Sequence, residues 1–101
     1  MQIYKTRQGV ILTEIAGEYV LVAAKSLLSE CPYTTQINES SAFLWRCMES
    51  GCDMKSLIEQ TAAEYEISDM KEATKAIEAF VQQMLDLNYL IATKTEDADA
   101  E

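Results

Sequence analysis

The chain contains no histidine in its 101 residues, which removes the commonest general base and the commonest zinc ligand together. It has no glycine-rich phosphate loop and no nucleophile set beside a base. Carboxylates are numerous, yet no pair among them is singled out, so catalysis is not expected. Three cysteines, Cys31, Cys47 and Cys52, are an odd number and lack C-x-x-C spacing. A metal site would need carboxylates to complete it, so no metal or cofactor is expected, and the thiols read as reduced and mostly buried. No stretch approaches the ~20 apolar residues of a membrane span. The opening Met1, Gln2, Ile3, Tyr4 and Lys5 lack the charged head and apolar run of a secretory signal. A cytoplasmic location is the expectation. Basic residues are also scarce, with 8 Lys and Arg against 17 Asp and Glu, a net charge of −9. A surface so charged repels phosphate backbones and argues against nucleic acid as a partner.

What the chain does have is enough apolar material for one ordinary core. Its hydrophobic content is 49%, spread along the sequence rather than gathered in a block, and its length suits a single domain. There is no internal repeat and no linker. The last six residues carry four acids and no base. Residues 1–93 are therefore read as one domain and residues 94–101 as an acidic, solvated, disordered tail. Without those four acids, thirteen acids still face eight bases.

The chain turns from strand-like to helix-like at Asn38. Residues 9–15 carry Val10, Ile11, Leu12 and Ile15 and read as a first strand. Ala16, Gly17 and Glu18 form a tight connection in which Gly17 takes positive φ. Tyr19, Val20, Leu21, Val22 and Ala23 make a second strand, completing a hairpin. Residues 26–30 suggest one helical turn, and Cys31 before Pro32 should be extended. Tyr33, Thr34, Thr35, Gln36 and Ile37 read as a short third strand whose polar middle suits a sheet edge.

Asn38 is a strong N-cap for a first helix over residues 39–50, with Gly51 at its end. Ser41, Leu44, Trp45 and Met48 recur at helical spacing. Asp53 caps a second helix carrying Met54, Leu57, Ile58, Thr61, Ala62 and Tyr65. Ser68 is read as the cap of a third helix, with Met70, Ala73, Ile77, Val81 and Met84 at its core positions. That helix ends near Asn88, and residues 89–92 add a short extended piece. Segregated strands and helices predict an α+β fold, a small three-stranded antiparallel sheet followed by three helices, winged-helix-like in order.

These residues resemble the PqqD-like family, named for a component of pyrroloquinoline quinone biosynthesis. Ile37-Asn38-Glu39-Ser40-Ser41-Ala42, followed by Leu44-Trp45, is similar to the family's LNxxA junction. Gly51, Leu57-Ile58, Ala63-Glu64-Tyr65 with Ile67, then Ile77, Phe80, Leu85 and Tyr89-Leu90-Ile91 match in order. The likeness covers roughly residues 9–92. Two departures stand out: residues 25–33 form a longer link than the family's usual one, and no signature points to one pathway. The resemblance implies a recognition element for ribosomally made, post-translationally modified peptides. It would bind a precursor's leader as an extra strand, in the groove between the third strand and the third helix. It would then present the precursor to a modifying enzyme, often a radical S-adenosylmethionine protein.

The edge Tyr33, Thr34, Thr35, Gln36 and Ile37 is thus the candidate dock, because an unpaired edge offers N–H and C=O groups to an extended peptide. A proline at Thr35 should weaken binding if that residue's N–H faces the added strand. On the third helix Ala76, Phe80 and Leu87, with Gln83 beside them, widen the apolar arc toward the same groove. Lys71, Lys75 and Gln82 lie on another, solvated side. Trp45, Tyr65, Met48 and Met84 read as core residues. The rival reading from another class is a winged-helix DNA-binding regulator, but Ser68, Asp69, Met70, Lys71, Glu72, Ala73, Thr74 and Lys75 would begin its recognition helix with bases balanced by acids. A protein–protein adaptor docking a larger enzyme is a third reading. An open edge is also compatible with a homodimer.

Overall fold

A computed structural model describes residues 2–94. Six strands and three helices follow in the order β1 (Gln2–Thr6), β2 (Val10–Ile15), β3 (Glu18–Ala23), β4 (Thr34–Ile37), α1 (Glu39–Cys47), β5 (Cys52–Asp53), α2 (Met54–Glu64), α3 (Met70–Asp86) and β6 (Leu90–Lys94). A single 3-10 turn, Lys25–Leu27, lies between β3 and β4. The fold is α+β, with the strands in two antiparallel sheets ordered β2-β3-β4 and β5-β1-β6.

The first sheet is the predicted one. Its hairpin closes on the pair Ile15–Glu18, so Ala16 and Gly17 form a two-residue turn, with φ of 52° and 82°. Two successive positive φ values are the signature of the turn whose twist matches a hairpin. Gly17 meets that need freely, whereas Ala16 does so against its own Cβ. The inward face carries Val10, Leu21 and Ala23, all buried.

The second sheet is a departure from the sequence reading, which left residues 2–6 unassigned. β1 joins the C-terminal β6 along five pairs from Gln2–Lys94 to Thr6–Leu90. Its other edge pairs with Cys52 and Asp53, and Thr6 N–H donates to Met48 C=O at 3.2 Å. A strand that exists by pairing with the far end of the chain leaves little local pattern. β6 extends to Lys94, and the rest of the expected acidic tail lies outside the described residues.

Each helix begins on a side-chain cap that satisfies an otherwise orphan amide. The Asn38 side chain accepts from Ser41 N–H at 2.8 Å, and that of Asp53 from Ser56 N–H at 2.8 Å. For α3 the cap is Asp69, which accepts from Lys71 and Glu72 N–H, and not Ser68. An ionised cap at a helix N-terminus also interacts favourably with the helix dipole. α1 ends earlier than expected, at Cys47 with Met48 as its C-cap, and Gly51 (φ 98°) turns the chain into β5 instead of terminating the helix. α3 ends in a Schellman motif. Asn88 N–H donates to Leu85 C=O, and Tyr89 N–H donates to Met84 C=O at 3.0 Å, with Asn88 left-handed at φ 66°.

α1 packs on β3 and α2, while α3 packs on α2 and β6. The core between them is centred on Trp45, Tyr89, Leu21, Met48, Leu57 and Met84, each fully buried. Tyr89 meets Trp45 edge-on with ring centroids 6.4 Å apart, a favourable aromatic geometry. Met70 departs from the core assigned to it and is 43% exposed, because it stands at the first turn of α3. Tyr65 is only half-buried.

Candidate functional site

β4 pairs with β3 alone among the described residues, so its other side is open. The direction of each backbone group follows from one bond and the register. Ala23 N–H donates to Tyr33 C=O at 2.9 Å, and the next pairs are Val22–Thr34, Leu21–Thr35, Val20–Gln36 and Tyr19–Ile37. Bonded and non-bonded pairs alternate along an antiparallel ladder. Tyr33, Thr35 and Ile37 therefore aim their backbone groups at β3, whereas Thr34 and Gln36 aim theirs outward. The neighbouring ladder agrees, since Ala24 N–H donates to Gly9 C=O at 2.7 Å and turns the even-numbered residues of β3 toward β2. The Thr35 N–H thus faces β3, and a proline there would break the sheet itself. Thr34 and Gln36 hold the open N–H groups.

Side chains alternate on the same strand. Thr35 and Ile37 are half-buried on the helix side, while Thr34 and Gln36 are exposed on the other. The Gln36 side-chain amide donates to Glu18 Oε1 at 2.6 Å, and Ile37 packs against the core. Tyr33, just ahead of β4, is 62% exposed.

Where β4 ends at Asn38, a cleft of about 500 Å³ opens between α1, the end of α2 and α3. Ala76, Phe80 and Gln83, three of the four residues predicted on α3, line it. Leu87 does not; it is the C-cap of α3 and packs, half-buried, against the core. The opposite wall was missed in the sequence: Asn38, Ser41, Leu44, Tyr65 and Ile67. Leu44 is buried in the core as its spacing predicts and also reaches the cleft wall, whereas Ser41 and Tyr65, expected to face the core, are half-buried. Periodicity cannot separate a residue lining a cleft from one beneath it. Among the described residues no charged side chain lines the cleft.

Tyr65 is braced edge-on by Phe43, with centroids 5.4 Å apart. Its hydroxyl is pushed above the usual phenol value, first by loss of solvent and then by the carboxylates of Glu39 and Glu64. It therefore stays protonated at neutral pH, as a donor beside an apolar hollow. Lys71, Lys75 and Gln82 are exposed, and the Gln82 amide donates to Asp86 at 2.9 Å on the same helix.

The arrangement is an open strand edge leading into an apolar, uncharged cleft. Such a surface holds an extended chain by main-chain hydrogen bonds and one or more apolar side chains. Among the described residues no three His, Cys, Asp or Glu side chains are grouped to hold a metal. No helix among them is long and apolar enough to cross a membrane.

The family model described as "Coenzyme PQQ synthesis protein D (PqqD)" matches residues 18–90. No curated protein matches the chain significantly. Among solved structures, the chain is similar to "TbiB1 in Complex with the TbiA(beta) Leader Peptide". The TM-score is 0.67 at 17% identity, over 85% of this chain and 93% of that one. It is also similar to "Lasso peptide synthetase B1 complexed with the leader peptide", with a TM-score of 0.65 at 19% identity over 90% and 98% of the two chains. At these identities the likeness is one of fold.

Proposed function

We propose that this chain, which belongs to the PqqD family, is a non-catalytic module that binds the leader of a ribosomally made precursor peptide by strand addition. The observation that carries the reading is the outward backbone of Thr34 and Gln36 on an unpaired edge, with the Ala76–Phe80–Gln83 cleft at its end. Both similar structures are, by their descriptions, complexes with leader peptides, which supports the same ligand class here.

Held this way, the leader gains hydrogen bonds from Thr34 and Gln36 regardless of its sequence. Its alternate side chains turn toward α3, and selectivity arises from what Phe80, Ala76, Gln83 and Tyr65 accept. Tyr33 and Ile37 flank the paired stretch. The module then presents the precursor to a modifying enzyme, of the radical S-adenosylmethionine class in the form the family likeness suggests. That work would take place in the cytoplasm, where the three free thiols stay reduced. The residues bring no acid–base or nucleophilic constellation of their own to the precursor.

The test is isothermal titration of the full chain with a synthetic N-terminal segment of a precursor peptide encoded beside it. Saturable binding that is lost in Gln36→Pro supports the reading. Binding of equal strength in a folded Gln36→Pro variant overturns it.

A further inference from the structure

We infer that Tyr89 is a positioning residue for the peptide edge: its hydroxyl fastens β4, and the segment before it, to the end of α3. The inference rests on the strand-addition reading and says what fixes the edge in place.

The Schellman motif at the end of α3 reverses the chain and sends the Tyr89 ring into the core against Trp45. The ring is fully buried, and its hydroxyl emerges among residues of the β4 segment. That hydroxyl lies 2.9 Å from Pro32 C=O and 2.7 Å from Thr35 Oγ1. A carbonyl oxygen can only accept, so the one phenolic proton goes to Pro32, and Thr35 must donate to the Tyr89 oxygen. Each polar atom then has a partner. The neighbouring residue adds to the clasp, since Asn88 Nδ2 donates to Glu30 C=O at 2.7 Å. Arg7 closes it from the other side. Its backbone N–H donates to Tyr89 C=O at 2.9 Å, and its guanidinium pairs with the Glu30 carboxylate.

The bonds join two stretches more than fifty residues apart in sequence, Glu30 to Thr35 and Asn88 to Tyr89. They also give the long link between β3 and β4 a role. β4 is a four-residue strand held on one side only, so the ladder to β3 leaves its separation from α3 unset. Tyr89 supplies that constraint from the turn that ends α3. Thr35, whose backbone is turned to β3, contributes through its hydroxyl, while its neighbours Thr34 and Gln36 offer their backbone groups to the peptide.

The test compares Tyr89→Phe, Thr35→Val and Thr35→Ser in the full chain by amide hydrogen exchange and by titration with the synthetic leader segment. Tyr89→Phe keeps the ring, and Thr35→Ser keeps the hydroxyl. The expected result is selective: about five- to tenfold faster exchange of the Thr35 and Ile37 amides in Tyr89→Phe and Thr35→Val, with α3 amides unchanged. Leader affinity falls by a similar factor, Thr35→Ser behaves like the parent, and the double variant binds no more weakly than Tyr89→Phe alone. A purely structural role for Tyr89 would speed exchange across the core uniformly and leave the affinity of folded protein unchanged; that result overturns the inference. Gln36→Pro separates the two claims. If it abolishes binding while Tyr89→Phe does not weaken it, the positioning role fails and strand addition stands. If it leaves binding intact, strand addition fails, and selective exchange at β4 alone decides whether the clasp exists.

Discussion

The Asn38 side-chain oxygen and the Ser41 amide, 2.8 Å apart, mark the point where the open edge of β4 ends and the cleft begins. The bond caps α1, and both residues line the cleft. Replacing Asn38 with alanine removes the cap and should destabilise the protein by about 1 kcal/mol. The loss is checked by urea denaturation, as a shift in midpoint with an unchanged slope. An unshifted midpoint would mean that the α1 N-terminus is satisfied by other means.

Ala76 is exposed, yet it lines the cleft. Leucine there is a good helix former on a solvated helix face, so stability should change by less than about 0.5 kcal/mol. Its added bulk would fill part of the cleft in which the proposed leader's side chains sit. Ala76→Leu should weaken leader binding about tenfold or more, measured by titration beside a thermal melt. Full affinity in the stable variant would place the ligand elsewhere.

Ala16 occupies a left-handed position, φ 52°, in the β2–β3 turn. Asparagine tolerates that conformation better than alanine. Ala16→Asn should stabilise the protein by about 0.5–1 kcal/mol, seen as a higher melting temperature, with leader affinity unchanged because the turn joins β2 to β3 and supplies no backbone group to β4's open edge.

Cys47 and Cys52 both have thiols pushed above the ordinary value of 9.0, chiefly by burial. For Cys47 the neighbouring Cys52 adds to the shift, while for Cys52 hydrogen bonds from Ser56 and Gln60 oppose it. A raised acid keeps its proton longer in the folded state than in the unfolded one. The stability it contributes is therefore complete below the unfolded value and is lost as pH rises through the folded value. Melting temperature should begin to fall above about pH 9, and less so in a Cys47→Ala variant. The Cys47 and Cys52 thiols should also react slowly with iodoacetamide at neutral pH, because the thiolate is the nucleophile.

The hairpin, the edge strand and all three helices were legible in the sequence, since each carries its own periodicity and turn chemistry. The Asn38 cap was legible because its residue type and its place before an apolar stripe agree. β1 and β5 were not: one is made by pairing with β6 across the whole chain, the other is two residues long. Asp69 displaced Ser68 as a cap because adjacent residues with capping side chains cannot be ranked without the local backbone. On α3, Ala76, Phe80 and Gln83 line the cleft, while Leu87 lies one turn further along as the C-cap. The other wall, from Ser41 to Ile67, needed three helices brought together. So did the direction of the Thr35 amide, which depends on register and on no property of threonine.

The most direct test of the account is an NMR titration of the labelled full chain with the synthetic leader segment, following every backbone amide. The account predicts the largest shifts at Thr34 and Gln36, whose N–H groups face outward, and a second set from Ala76 to Gln83 along the cleft. Thr35, bonded to β3, should move less than either neighbour. Saturable binding that leaves the Thr34 and Gln36 amides unmoved would contradict strand addition at β4.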